Sequence, residues 1–207
     1  MDFSFLAFGF LTGLSFILVI GPQNLFVIEQ GLKNQYVFIV CMICSMSDLI
    51  LIFIGILLFH YIHSLLSQAL ENILSILLIL FLANFIRNKL NENISSVSIN
   101  SKENLKPFKS VVLRVLGFTF LNPHVYSDTV FILGNMSKNF MISQKISFGI
   151  GASFSSLLFF FLIGYLSKFL SKFINKPQIW RFLNIFINIF MSFIILFVIF
   201  DIINSNL

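Results

Sequence analysis

Charged residues are scarce in this chain of 207 residues, where they make up 10% of the sequence. Hydrophobic residues account for 58%, and the mean hydropathy is +0.99. A soluble domain needs a polar surface, so this composition excludes one and predicts an integral membrane protein. The formal net charge of +5 does not indicate nucleic-acid binding, because the basic residues are scattered between apolar segments.

The sequence also lacks the motifs of nucleotide hydrolysis and of common enzymes. It contains no GxxxxGK[ST] loop, no GxSxG turn and no HExxH motif. Its two cysteines, Cys41 and Cys44, lie in one apolar segment without further zinc ligands nearby. With Ser45 and Asp48 they form a small, weakly polar helical stripe that we expect to face protein. We therefore expect no enzyme, no ATP-driven pump, no metal site and no cofactor.

Long apolar runs make up most of the chain, and about 20 such residues are enough to cross a bilayer as a helix. We predict an all-α integral membrane fold with six transmembrane helices. The predicted spans are 3–28, 36–59, 65–86, 111–135, 146–170 and 179–203.

The basic residues divide unequally between the two sides of this arrangement. Of the 13 Lys and Arg residues, only Lys138 and Lys145 fall on the poorer side. The positive-inside rule makes the richer side cytoplasmic, so both termini are predicted to lie outside the cytoplasm. A charged loop at 87–110 is predicted to be a cytoplasmic linker between two halves of three spans each, 1–86 and 111–207.

Proline is also scarce, yet each half has one within a predicted span. Pro22 lies in the motif GPQN (21–24) and Pro123 in the motif NPH (122–124). Proline removes a backbone hydrogen bond, so the freed groups need partners from protein, water or ligand inside a membrane. We predict that helices 1 and 4 break there, and that the halves form an inverted repeat around a central binding site. Two unrelated kinks are the alternative.

Two carboxylates lie near the middle of predicted helices, Asp48 in the second span and Asp128 in the fourth. A charge there costs roughly 2.5 to 3.5 kcal/mol on insertion scales, which favours a role in binding a cation or a proton. His124, four residues before Asp128, is the intramembrane base on the same helix face. Glu29 and Lys33 have the same spacing, and we interpret them as a surface pair at the cytoplasmic end of the first span.

Three segments carry a family resemblance: IGPQNLFVIEQGLKNQ (20–35), CSMSDLILIFIGI (44–56) and FTFLNPHVYSDTVFILGNMS (118–137). They resemble the LysE-type family of bacterial amino-acid exporters, in the branch that contains the lysine and arginine exporters. The third span lacks the aromatic and glycine pattern expected of relatives. Asn184 stands where an aspartate is common.

The resemblance implies an inner-membrane protein that exports L-lysine, L-arginine or both, driven by the proton-motive force, and it is compatible with a homodimer. The candidate residues for substrate binding or proton coupling are Asp48, Asp128, Asn24, Gln23, Asn122 and His124, and those for the helix breaks are Gly21, Pro22 and Pro123.

Export of a cation from a negative interior runs uphill by about 2.3 kcal/mol per charge per 100 mV, so a passive carrier would accumulate its substrate. We hypothesise that ionised Asp48 and Asp128 pair with the cation and take up protons after its release. Amide donors near the breaks would bind the substrate carboxylate. The alternatives are an exporter of neutral amino acids or of a metal cation and, from another class, an intramembrane enzyme or a scaffold.

Overall fold

Helices account for all regular structure in the described residues of the computed structural model, which are 2–19, 21–62, 68–90, 107–171 and 177–205. The predicted all-α class is therefore confirmed for this part of the chain. The helices are α1 (Phe3–Ile17), α2 (Pro22–Leu32), α3 (Val37–Ile62), α4 (Gln68–Leu90), α5 (Phe108–Phe120), α6 (Pro123–Tyr126), α7 (Leu133–Ser137), α8 (Ile142–Ser171) and α9 (Pro177–Ser205).

Two described helical segments are long and apolar enough to cross a bilayer unaided, Val37–Phe59 and Ile142–Ser171. Helices α1 and α2 qualify only as a pair, and they are bent by 83° at the break between them. Helix covers most of the described part of each predicted span, although the first and fourth spans each contain a break. The number of crossings stays a prediction. The predicted linker lies mostly outside the described residues, and its ends belong to α4 and α5.

The first predicted break lies between α1 and α2. Gly21 has an extended backbone, and Pro22 follows it at the first helical position. Proline is tolerated there because an N–H group at this position has no partner within the helix anyway. The Asn24 side-chain amide donates to the carbonyl oxygens of Ile17 at 3.1 Å and of Val19 at 3.0 Å. Asn24 therefore satisfies backbone groups that the end of α1 exposes.

The second predicted break, between α5 and α6, uses the same chemistry. The backbone N–H of His124 donates to the Asn122 side-chain oxygen at 3.1 Å, which caps the helix that Pro123 begins. The Tyr126 hydroxyl donates to the carbonyl oxygen of Phe120 at 2.8 Å. Both breaks are thus present, and in both a side chain bonds a carbonyl of the preceding helix.

A π-helical turn, Ser127–Ile132, joins α6 to α7. It was not predicted, because no residue pattern in this segment distinguishes it from an ordinary helix. Such turns insert an extra residue into a helix and often occur at functional sites. Here the turn contains Asp128, so it sets the direction of that side chain.

The two halves pack crosswise. Helices α1 and α2 of the first half pack against α8 of the second, whereas the π-helical turn and α7 of the second half pack against α3 of the first. Helix α3 also packs against α8, and α4 packs against α9. In each half, the broken helix packs against the long helix that comes after the break in the other half, which is α8 in one case and α3 in the other. A two-fold relation between the halves would produce this pattern.

Glycines allow the backbones to meet at these crossings. A Cβ atom on Gly31 of α2 would lie 2.5 Å from the carbonyl oxygen of Gly164 on α8. Likewise, a Cβ atom on Gly134 would lie 2.8 Å from the carbonyl oxygen of Gly55 on α3. Small residues are enriched at contacts between membrane helices for this reason.

We predict that Gly55→Ala destabilises the protein, because the added Cβ would lie 2.6 Å from the Val130 backbone on the π-helical turn. Its melting temperature in detergent should fall by at least about 2 to 4 °C, the shift expected for a loss of about 1 kcal/mol. Gly21→Ala is the matched control, since nothing lies within 4 Å of a Cβ at Gly21. Equal melting of the two variants would contradict the proposed close contact.

Candidate functional site

A cavity of about 460 Å³ lies between the two helix breaks, α3, α8 and α9. Its volume is in the range of small-molecule sites, which also share its mostly apolar wall. All six candidate binding residues line the cavity, as do Gly21 and Pro22, whereas Pro123 does not. The polar side chains on its wall are Gln23, Asn24, Asp48, Asn122, His124, Asp128, Thr129 and Ser156.

Asp48 projects from α3 and is only 5% exposed. Its Oδ2 atom accepts a hydrogen bond from the Ser156 hydroxyl on α8 at 2.7 Å. The cavity wall therefore contains a carboxylate that is held by a single neutral donor, with no salt bridge to a residue of the described chain.

Asp128 is partly buried in the π-helical turn. Its side chain accepts no hydrogen bond from the described residues, although His124 is close enough to interact with it electrostatically. Asp48 and Asp128 are in turn close enough to repel each other when both are ionised. No lysine or arginine is among the residues that line the cavity. Within the described lining, the two carboxylates therefore have no lysine or arginine side chain with which to form an ion pair.

The amide side chains differ in what they can offer a ligand. The Asn24 side-chain nitrogen donates to the carbonyl oxygens of Ile17, at the end of α1, and of Val19 just beyond it, and the Asn122 oxygen caps α6. Gln23, by contrast, is 6% exposed, and its Nε2 atom has no hydrogen-bond partner in the described structure. Beside it lies the Cys44 thiol, which is only a weak acceptor. Gln23 is therefore the buried donor that a ligand would satisfy.

His124 is exposed, and its ring centroid lies 6.0 Å from that of Phe197 on α9. It therefore lies at the edge of the cavity. Among the residues that the structure describes, no group of three or more His, Cys, Asp or Glu side chains could hold a metal ion. The side chain of Asn184 lies outside the described part of the chain.

The interpretation of Glu29 and Lys33 as a surface pair is wrong. Lys33 Nζ lies 2.6 Å from Glu29 Oε1, but the Glu29 side chain is only 2% exposed. The reason is the position of α2, which packs against α8, α3 and α5 and buries ten of its eleven residues. Lys33 extends from the helix end toward the surface, so the pair reaches from the interior to the periphery.

The cysteine stripe faces protein, as predicted. Cys41 and Cys44 are both fully buried. The Cys41 thiol donates to the carbonyl oxygen of Phe160 on α8 at 3.2 Å, and the Ser45 hydroxyl donates to the Cys41 carbonyl at 2.8 Å. The same contact surface between α3 and α8 brings Asp48 to Ser156, a partner that sequence reasoning missed. The adjacent residues Ser155 and Ser156, in an otherwise apolar segment, are the sequence signal that could have indicated a polar contact here.

Fold and site together define a helical membrane protein with a central acidic cavity, as in carriers of small solutes. The LysE type translocator family matches residues 14–201, so the chain belongs to that family. It is therefore a multi-pass membrane transporter and not an enzyme.

Two curated relatives are named arginine exporter protein ArgO. The one from Pectobacterium atrosepticum is 32% identical over 185 residues, which cover 85% of this chain and 87% of the relative. The one from Salmonella paratyphi A is 31% identical over 182 residues, which cover 86% of this chain and 84% of the relative. No solved structure matches the chain.

We predict that Asn24→Ala mainly lowers the stability of the protein, whereas Gln23→Ala mainly lowers its transport activity. Asn24→Ala leaves two backbone carbonyls at the break without their donor, which should cost about 1 to 3 kcal/mol of stability. Gln23→Ala removes a side chain whose nitrogen has no hydrogen-bond partner among the described residues, so it should cost less stability than Asn24→Ala and should reduce transport. Melting in detergent, combined with substrate flux per folded protein, separates the two. Equal loss of stability in both variants would contradict this assignment.

Proposed function

We propose that this protein exports basic L-amino acids, arginine or lysine or both, across the inner membrane in exchange for protons. One observation carries the proposal: Asp48 and Asp128 line the same cavity, and no lysine or arginine is among its lining residues. The names of the two relatives support arginine as a substrate.

Charge favours a cationic substrate. Two carboxylates in a mostly apolar cavity need compensation by a cation or by protons, because an isolated buried charge is strongly unfavourable. A neutral amino acid has no net charge to offer them. A lysine or arginine side chain has an aliphatic stem for the apolar wall and a cationic end for the carboxylates.

The other end of the substrate also has a binding surface. Helix α2 begins at the cavity with Pro22, and its first-turn N–H groups and positive end face the break. The buried Gln23 Nε2 atom adds a side-chain donor there. We therefore assign the substrate carboxylate to the start of α2 and the substrate cation to Asp48 and Asp128.

Proton exchange makes export thermodynamically reasonable. Because the cell interior is negative, outward movement of a monovalent cation is opposed by about 2.3 kcal/mol per 100 mV. Protons that enter while the amino acid leaves would supply the energy, with no cofactor. Asp48 and Asp128, which repel each other when ionised, are the groups that would exchange the cation for protons.

The proposed architecture has six spans in two inverted halves, with both termini outside the cytoplasm. The crosswise packing of the broken helices on α8 and α3 supports the inverted relation. The binding site would then lie at the middle of the membrane, between the two breaks. A homodimer is compatible with this arrangement.

We predict that Asp48→Asn and Asp128→Asn each abolish export, because each removes a negative charge that binds the cation. Cells preloaded with labelled arginine or lysine should lose label rapidly with the wild-type protein and at the background rate with either variant. Asp2→Asn is the matched control, since Asp2 caps α1 away from the cavity and asparagine caps equally well. Full efflux in either cavity variant would refute the proposed site.

We also predict that arginine movement drives protons the opposite way. In everted vesicles with an acidified lumen, added arginine should enter the lumen and proton exit should raise the luminal pH, which a trapped fluorescent dye reports. Threonine is the neutral control and should give no signal. A threonine signal equal to that of arginine would favour a neutral amino-acid exporter, and labelled arginine uptake without a pH change would exclude proton coupling.

A further inference from the structure

We infer that Ser156 is a positioning residue, whose hydroxyl holds the Asp48 carboxylate at the orientation in which it binds the substrate cation. The inference rests on the proposed function, since it assigns Ser156 a role at the same cavity. Ser156 acts through Asp48, and the affinity for basic amino acids therefore depends on this hydrogen bond.

The geometry of the pair supports this role. The Ser156 hydroxyl donates to Asp48 Oδ2 at 2.7 Å, across 108 positions of the sequence. Both side chains line the cavity, yet Ser156 is only 2% exposed. Oδ1 accepts no hydrogen bond from any described residue. One carboxylate oxygen is thus held by Ser156, and the other remains for a ligand.

Other hydroxyls on α8 behave differently. In the described structure, Ser147, Ser155 and Ser171 each donate to a carbonyl oxygen of their own helix. That is the usual choice for a serine in an apolar helix, because a nearby carbonyl is always within reach. Ser156 instead donates to α3, so its bond is determined by the approach of the two helices.

Loss of this donor has a specific consequence. A hydrogen bond to a charged group contributes more than one between neutral groups, and its loss leaves the Asp48 carboxylate without its donor and free to rotate. Asp128, which accepts no hydrogen bond from the described residues, would not compensate. The expected defect is weaker binding of the cation, with little change in the rate of the loaded transporter.

The test is the concentration dependence of labelled arginine uptake into everted vesicles. Ser156→Ala should raise the KM at least about tenfold, the lower limit for one lost hydrogen bond to a charged group, and leave the maximal rate per folded protein nearly unchanged. Ser156→Cys, which has similar volume and only a weak donor, should raise the KM in the same direction. Ser156→Thr retains the hydroxyl and should keep a KM near that of the wild type.

Ser155→Ala is the matched control, because Ser155 is the adjacent buried serine and its hydroxyl donates to Ala152 at 2.7 Å within α8. Its KM should match the wild type. A KM in Ser156→Ala equal to that of Ser155→Ala would overturn the inference, as would a lower maximal rate with an unchanged KM. If Ser156→Ala fails to accumulate in the membrane, the contrast between Ser156→Cys and Ser156→Thr decides: equal KM values would overturn the inference.

Failure of this inference is distinguishable from failure of the proposed function. If Asp48→Asn abolishes uptake while Ser156→Ala behaves like Ser155→Ala, only the role of Ser156 is lost. If Asp48→Asn transports arginine normally, the carboxylate itself is dispensable, and the proposed function falls with it.

Discussion

The constraint on which this structure depends is that backbone polar groups need partners wherever water is excluded. Pro22 and Pro123 interrupt two helices, and each interruption exposes carbonyl and N–H groups. Asn24 bonds the carbonyls at one break, and Tyr126 does so at the other. With those groups satisfied by side chains, both breaks persist and a cavity forms between them. The site is therefore a consequence of how the helices are broken.

The same reasoning separates residues that build the cavity from residues that are left to act in it. Asn24 lines the cavity, but its donors are engaged by the backbone of α1. Gln23 has a buried nitrogen without a partner among the described residues. Asp128 interacts electrostatically with His124 and accepts no hydrogen bond from the described residues. Asp48 is partly engaged, since the Ser156 hydroxyl donates to one of its two carboxylate oxygens. Neighbouring polar residues in one motif thus have different tasks, which a motif alone does not distinguish.

Much of this was predictable from sequence because the strongest penalties are local. Pro22, Pro123, Asp48 and Asp128 are each unfavourable in an apolar helix whatever surrounds them, so the sequence alone marks the breaks and the acidic site. The family resemblance is confirmed by the match over residues 14–201. The features that the sequence did not predict depend on contacts between residues that are distant in sequence. The burial of Glu29 follows from the packing of α2, and the Ser156 bond follows from a contact between α3 and α8. The π-helical turn has no residue pattern of its own.

We propose that a cationic amino acid and protons occupy the same pair of carboxylates, Asp48 and Asp128, in turn. Calorimetric titration of the purified protein with arginine tests it most directly, in two buffers that differ in ionisation enthalpy. We expect arginine to bind with release of protons at a pH where the empty carboxylates are protonated, lysine to compete with it, and homoserine not to compete. Arginine binding without proton release, or homoserine binding as tightly as arginine, would show that the carboxylates do not exchange a cation for protons.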